Sequence, residues 1–126
     1  MAKEFTFCGK TWDEVQKLSI EDFMKLVPSR SRRSLRRGFT DAQKTFLKNV
    51  QRGQATLETH CRDMVIIPAF VGKIIKVHNG KEFQPVTIEK DMLGHRLGEF
   101  AITCKRVEHS APGIGATRSS SALSVR

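Results

Sequence analysis

The stretch that limits this chain most is Arg-Ser-Arg-Arg-Ser-Leu-Arg-Arg, residues 30–37, with five arginines and one apolar residue, Leu35. Written as a helix, it sets Arg32, Arg33, Arg36 and Arg37 at i, i+3 and i+4 spacings, where like charges repel. A solvated face ordinarily mixes signs, yet no acid stands between Asp22 and Asp41. A fold that orders this segment therefore calls for a polyanion to neutralise it, and guanidinium groups offer phosphate bidentate contacts of fixed geometry. The whole chain leans the same way, since 22 Lys and Arg against 13 Asp and Glu give a net charge of +9. Such a field attracts nucleic acid or an anionic membrane surface.

A membrane-spanning reading fails on length: the longest apolar run, Met64 to Gly72, is about half of what a spanning helix needs, and Pro68 interrupts it. The opening Met-Ala-Lys-Glu-Phe-Thr-Phe-Cys-Gly-Lys has charges where an export signal needs an apolar stretch, so a cytoplasmic protein is expected. Cys8, Cys61 and Cys104 are odd in number and not closely spaced, which suits reduced thiols better than a disulfide framework. With 126 residues, 39% hydrophobic and 28% charged, the chain reads as one globular domain.

The expected class is α+β, with short N-terminal helices, then a small three-stranded sheet containing a β-hairpin, then an extended basic C-terminal tail. The corresponding boundaries are 1–58, 59–108 and 109–126. Thr11 with Glu14, Ser19 with Asp22, and Thr40 with Gln43 each set a capping hydroxyl three residues before an acid or amide. Short amphipathic turns follow these caps, on Trp12, Val15 and Leu18, on Phe23, Leu26 and Val27, and on Phe46, Leu47 and Val50; Gly53 closes the last. Pro28 and Ser29 start a further helical piece that carries the arginines.

After Thr59 the pattern turns to β-branched runs, Met64–Ile67 and Ile74–His78, which read as strands. Asn79-Gly80 tolerates positive φ at both turn positions, so Lys76 to Ile88 reads as a hairpin. Pro85 confines the second arm to a sheet edge or bulge. Asp91 to Phe100 contains Gly94 and Gly98 and reads as a short helix or tight turn packed by Met92, Leu93, Leu97 and Phe100. The last eighteen residues, from His109, are rich in Ser and Gly without an apolar period; they read as a frayed end or as a segment ordered by a partner.

Catalytic look-alikes do not hold. Cys8 to Thr11 echoes the end of a P-loop, but Glu4 stands where that motif needs glycine, and Gly113 to Arg118 has Arg118 at the third glycine position of a dinucleotide loop. His60 and Cys61 are neighbours, and in an extended segment neighbours face opposite ways. The histidines and cysteines show no metal-ligand spacing. No catalytic residue, metal or cofactor is expected. Among nucleic acids, the arginines would saturate a helix face that should read bases, and aromatic stackers are sparse because the phenylalanines mostly occupy core-type positions. Recognition of backbone and shape remains, which suits folded RNA.

Asn79 to Thr103, NGKEFQPVTIEKDMLGHRLGEFAIT, resembles the signature of the small-subunit ribosomal protein nineteen family. The resemblance is carried by the Asn-Gly-Lys turn, the spaced Ile88 and Leu93, Gly94-His95-Arg96-Leu97-Gly98-Glu99-Phe100, and Thr103. Pro68 to His78 is similar to the family as well, and the flanks SRRSLRRGFT and HSAPGIGATRSS are similar to its archaeal and eukaryotic branch. This resemblance implies a place in the head of the small ribosomal subunit, on ribosomal RNA. It implies small-subunit protein thirteen as a neighbour, the large subunit nearby, and a tail running toward the decoding region and transfer RNA. It implies RNA contacts at Lys73, Lys76, His78, Lys81, His95, Arg96, Lys105, Arg106, His109 and Arg118, added to Arg30, Arg32, Arg33, Arg36 and Arg37. Asn79 and Gly80 would make the turn, and Gly94 and Gly98 would allow close packing. Cys104 departs from the more basic or hydroxylic residue expected before Lys105. The rival reading is a basic interaction module that docks an acidic protein.

Overall fold

The computed structural model describes residues 4–108 and Gly113. The fold is α+β. Its first element is a hairpin of β1 (Thr6–Phe7) and β2 (Lys10–Thr11), paired Phe7 to Lys10 across the two-residue turn Cys8-Gly9. Both turn residues have positive φ, 49° and 79°, the mirror-image turn whose twist suits a tight hairpin. The residues that echoed a P-loop are therefore a hairpin turn and its second strand.

Four helices follow: α1 (Trp12–Lys17), α2 (Ile20–Leu26), α3 (Ser29–Arg36) and α4 (Asp41–Gln51). The predicted caps sit at their starts. The Thr11 N–H donates to Glu14 Oε2 at 2.9 Å, the Asp22 N–H to Ser19 Oγ at 3.2 Å, and the Gln43 N–H to Thr40 Oγ1 at 3.4 Å. Each satisfies a backbone or side-chain group that the first helical turn would otherwise leave open. At the far end of α4, Gly53 has φ 68°, with its N–H on Val50 O and the Gln54 N–H on Asn49 O, a Schellman closure. Thr40→Ala should cost about 1 kcal/mol of unfolding free energy. Urea titration would show it as a lowered midpoint at unchanged slope, and an unmoved midpoint would mean that the cap contributes nothing.

The three-stranded sheet has the order β3 (Leu57–Thr59), β4 (Ile74–His78), β5 (Phe83–Thr87), with β3 parallel and β5 antiparallel to β4. Its first strand is thus Leu57–Thr59 rather than the expected Met64–Ile67. Met64, Val65, Ile66 and Ile67 are all buried, and their segment pairs irregularly with residues 94–98: Ile66 N to His95 O at 2.8 Å, Gly94 N to Ile66 O at 3.1 Å, Leu97 N to Met64 O at 3.0 Å. Unbroken apolar character here marks a segment enclosed by the core, a pattern that a buried strand shares.

The hairpin of β4 and β5 forms as expected, but its turn is built differently. Asn79 keeps negative φ and only Gly80 is positive, at 100°. Four residues, 79–82, make the loop, closed by Asn79 N to Glu82 O at 3.0 Å, while Asn79 Oδ1 accepts the N–H groups of Lys81 and Glu82 at 2.9 Å each. The asparagine acts through its side chain, as an Asx turn, instead of through a left-handed backbone. Pro85 lies on β5, which among the described residues pairs with β4 alone and is an edge strand, where its missing N–H costs no ladder bond.

Residues 90–100 hold two 3-10 turns, Lys90–Met92 and Leu97–Glu99, on either side of Gly94. One core unites the layers: Val15, Phe23, Val27, Phe46 and Val50 from the helices pack with Ile66, Phe70, Ile75, Val77, Ile88 and Leu97. Among the described residues no helix is long and apolar enough to cross a membrane.

Candidate nucleic-acid interface

Helix α3 is held by its two inward positions. Leu35 is buried in the core and Ser31 is buried with its hydroxyl donating to Gly94 O at 3.1 Å. Those anchors turn the remaining face outward, so Arg30, Arg32, Arg33, Arg36 and Arg37 are all exposed. Arg96, 62 residues beyond Ser34 in sequence, joins them. Its Nη2 donates to Ser34 Oγ on α3 at 2.8 Å and its Nη1 to Asp63 O at 3.3 Å. The four arginines of α3, the adjoining Arg37 and Arg96 line one open groove of about 550 Å³.

Among the described residues, none of these six guanidinium groups lies within 4.0 Å of a carboxylate. Their charges converge with only two small hydroxyls, Ser29 and Ser34, in the lining. The arrangement suits an anion that spans several cations, and a chain of phosphates does so.

The predicted contacts are not equivalent. Arg32 is largely spent on structure: its Nε donates to Met24 O at 3.0 Å and its Nη2 to Val27 O at 3.2 Å and Lys25 O at 3.4 Å, closing the C-terminal end of α2. Lys73 likewise donates to Val50 O at 3.0 Å, at the C-terminal end of α4, where the helix dipole favours a cation. Lys76 pairs with Glu58 at 3.2 Å, His95 Nδ1 lies 2.8 Å from Glu99 Oε2, and Lys105 lies 3.9 Å from Glu82. Lys81 and Arg106 are exposed, and His78 is half-buried beside His60 and Phe83. His109 and Arg118, with the tail expected at 109–126 apart from Gly113, lie outside the described residues. The structure therefore unites Arg30, Arg32, Arg33, Arg36 and Arg37 with Arg96 and leaves Lys73, Lys76, His78, Lys81, His95, Lys105 and Arg106 outside the lining of that groove.

Two glycines support it. Gly94 has φ 79°, and a Cβ there would come within 3.3 Å of Val27 Cγ1; a Cβ on Gly98 would meet Arg62 Cβ and O at 2.9 Å. Arg62 is the residue that sequence reasoning passed over. Its Nη1 donates to His78 O at 2.7 Å and its Nη2 to Gly98 O at 2.8 Å and Ala101 O at 2.6 Å, so one side chain ties the end of β4 to the turn after Arg96. A lone arginine amid a basic chain carries no periodic signal. Cys8, Cys61 and Cys104 are free thiols, and among the described residues no three His, Cys, Asp or Glu side chains gather as metal ligands.

The family model described as ribosomal protein S19 matches residues 33–109. A curated relative, the small ribosomal subunit protein uS19 of Methanococcoides burtonii, is 49% identical over 117 residues, covering 93% of this chain and 85% of its own. The chain belongs to the ribosomal protein S19 family. It is accordingly a structural protein of the small ribosomal subunit in the cytoplasm, part of the translation machinery and not an enzyme. The archaeal relative agrees with the branch that the flanking sequences resembled. The S19 match begins inside α3, so Arg33, Arg36, Arg37 and Arg96 of the groove fall within it, and Arg30 and Arg32 just before.

Proposed function

We propose that the protein binds ribosomal RNA of the small-subunit head through the arginine groove, with phosphates bridging α3 and Arg96. One observation carries this reading: side chains from two distant stretches converge on a common groove that among the described residues holds no acid. Guanidinium groups on a short rigid helix recognise backbone position and helical shape rather than base identity, which suits a folded RNA scaffold. Lys81, Lys105 and Arg106 extend the contact beyond the groove. The segment after Glu108 reaches toward the decoding region and transfer RNA, its Gly113 and Gly115 permitting close backbone approach and Arg118 meeting phosphate. Small-subunit protein thirteen is the neighbouring protein, with the large subunit nearby. The three units 1–58, 59–108 and 109–126 share this work, the first two joined through β3 and through Arg96 in the groove.

Binding of the full chain to a head ribosomal RNA fragment, measured at several salt concentrations, tests the reading. Each neutralised phosphate contributes roughly 0.7–0.9 to the log–log salt slope, so a slope of about 4 or more is expected. A salt-independent affinity, or capture by an acidic protein with no RNA binding, would remove the RNA reading.

A further inference from the structure

The sheet has one face on the core and one in solvent. Along β4, Ile75 and Val77 are fully buried, whereas Ile74 is 58% exposed and Lys76 and His78 share its outer face. Register sets Phe83 opposite His78 on that face. Just past β3, the exposed His60 lays its ring against His78, with centroids 4.4 Å apart and planes inclined by 30°. Phe83 stands edge-on to both imidazoles, at 5.0 and 4.9 Å. Phe83 is thus an exception to the expectation that the phenylalanines fill the core.

The group is held in place. His78 Nδ1 accepts the Gly80 N–H at 3.0 Å, which puts the proton of the neutral ring on Nε2, and the His78 carbonyl accepts from Arg62 at 2.7 Å. Glu58 and Glu82 have lysine partners, while Lys81 has no carboxylate within 4.0 Å among the described residues. The surroundings therefore favour an anionic ligand with a flat apolar part.

We propose that His60, His78 and Phe83 form a stacking platform for an unpaired base of single-stranded RNA, with the ring of His60 as the outermost surface. Every base has a face that stacks on an aromatic ring, and nearby cations hold the flanking phosphates. Arg62 bonds His78 O and Arg96 bonds the O of the adjacent Asp63, so two arginines brace the backbone that leads to the platform. The proposal rests on the RNA-binding reading but uses a different face.

The test uses the full chain and a single-stranded hexaribonucleotide carrying 2-aminopurine, whose emission is quenched on stacking. The wild type should bind and quench. His60→Ala, at an exposed position, should bind about tenfold more weakly with the quench lost. His60→Phe, which retains a ring but no proton, should keep both. Arg33→Gln with Arg36→Gln should weaken binding yet preserve the quench at saturation, which separates failure of the platform from failure of the groove. The platform is overturned if the wild type does not quench, if His60→Ala matches it, or if His60→Phe behaves like His60→Ala.

Discussion

Changing Arg33, Arg36 and Arg37 together to glutamine should weaken binding to head ribosomal RNA by on the order of a hundredfold, with an unchanged far-UV spectrum. Three exposed, charge-assisted contacts at about 1 kcal/mol or more each account for that size. The salt slope should fall by about two to three, because three fewer phosphates release their counterions. The free protein should be slightly more stable than wild type. None of the three side chains closes another helix, glutamine has similar helix propensity, and i, i+3 and i, i+4 repulsion is relieved. A thermal midpoint equal to or above that of the wild type, measured alongside the affinity, separates loss of a binding face from loss of a fold. Unchanged affinity, or an unfolded variant, would show that these arginines do not form the interface. Arg32 is left out by design, since it caps α2.

The largest effect on stability is expected at Arg62. Replacing it with methionine keeps much of the stem and removes the donors to His78 O, Gly98 O and Ala101 O. Partly buried carbonyls left without partners cost about 1–3 kcal/mol each where water cannot reach them, so a loss of about 2–4 kcal/mol is expected. For a domain of this size that lowers the thermal midpoint by roughly 10–20 °C. Lysine should not restore it, because one ammonium group cannot reproduce a planar fork that spans three carbonyls. At temperatures where the Arg62→Met variant is folded, its salt slope should match the wild type, since the groove is intact. A midpoint within about 2 °C of wild type would show that the three bonds contribute little.

Local chemistry made part of this structure readable in advance. Thr11, Ser19 and Thr40 cap helices because a hydroxyl and an acid or amide three residues on suffice to satisfy the first turn, and no distant residue enters. Ile74–His78 and the Pro85 edge strand were legible for the same reason, with their alternation and their turn lying close in sequence. Leu57–Thr59 was not, being three residues long with Glu58 outward. Met64–Ile67 misled because enclosure by the core and membership of a buried strand produce the same apolar run. The Asn79 turn was anticipated at the right place with the wrong mechanism, since side-chain and left-handed backbone solutions both favour asparagine there.

At the interface, the density of arginine on residues 30–37 was visible, but its division of labour was not. Only the fold shows that Arg32 turns back onto α2 while Arg33, Arg36 and Arg37 face outward, because that depends on where α2 ends in space. The family resemblance singled out Arg96, yet nothing in sequence spacing brings it to Ser34. Arg62 needed three backbone carbonyls from two segments to acquire a meaning.

The most direct measurement is arginine modification by a phenylglyoxal reagent, read by peptide mass spectrometry, on the free protein and on small subunits that contain it. If the groove sits on ribosomal RNA, Arg30, Arg33, Arg36 and Arg37 react readily in the free chain and are protected within the subunit. Equal modification of these four arginines in both samples would contradict that placement.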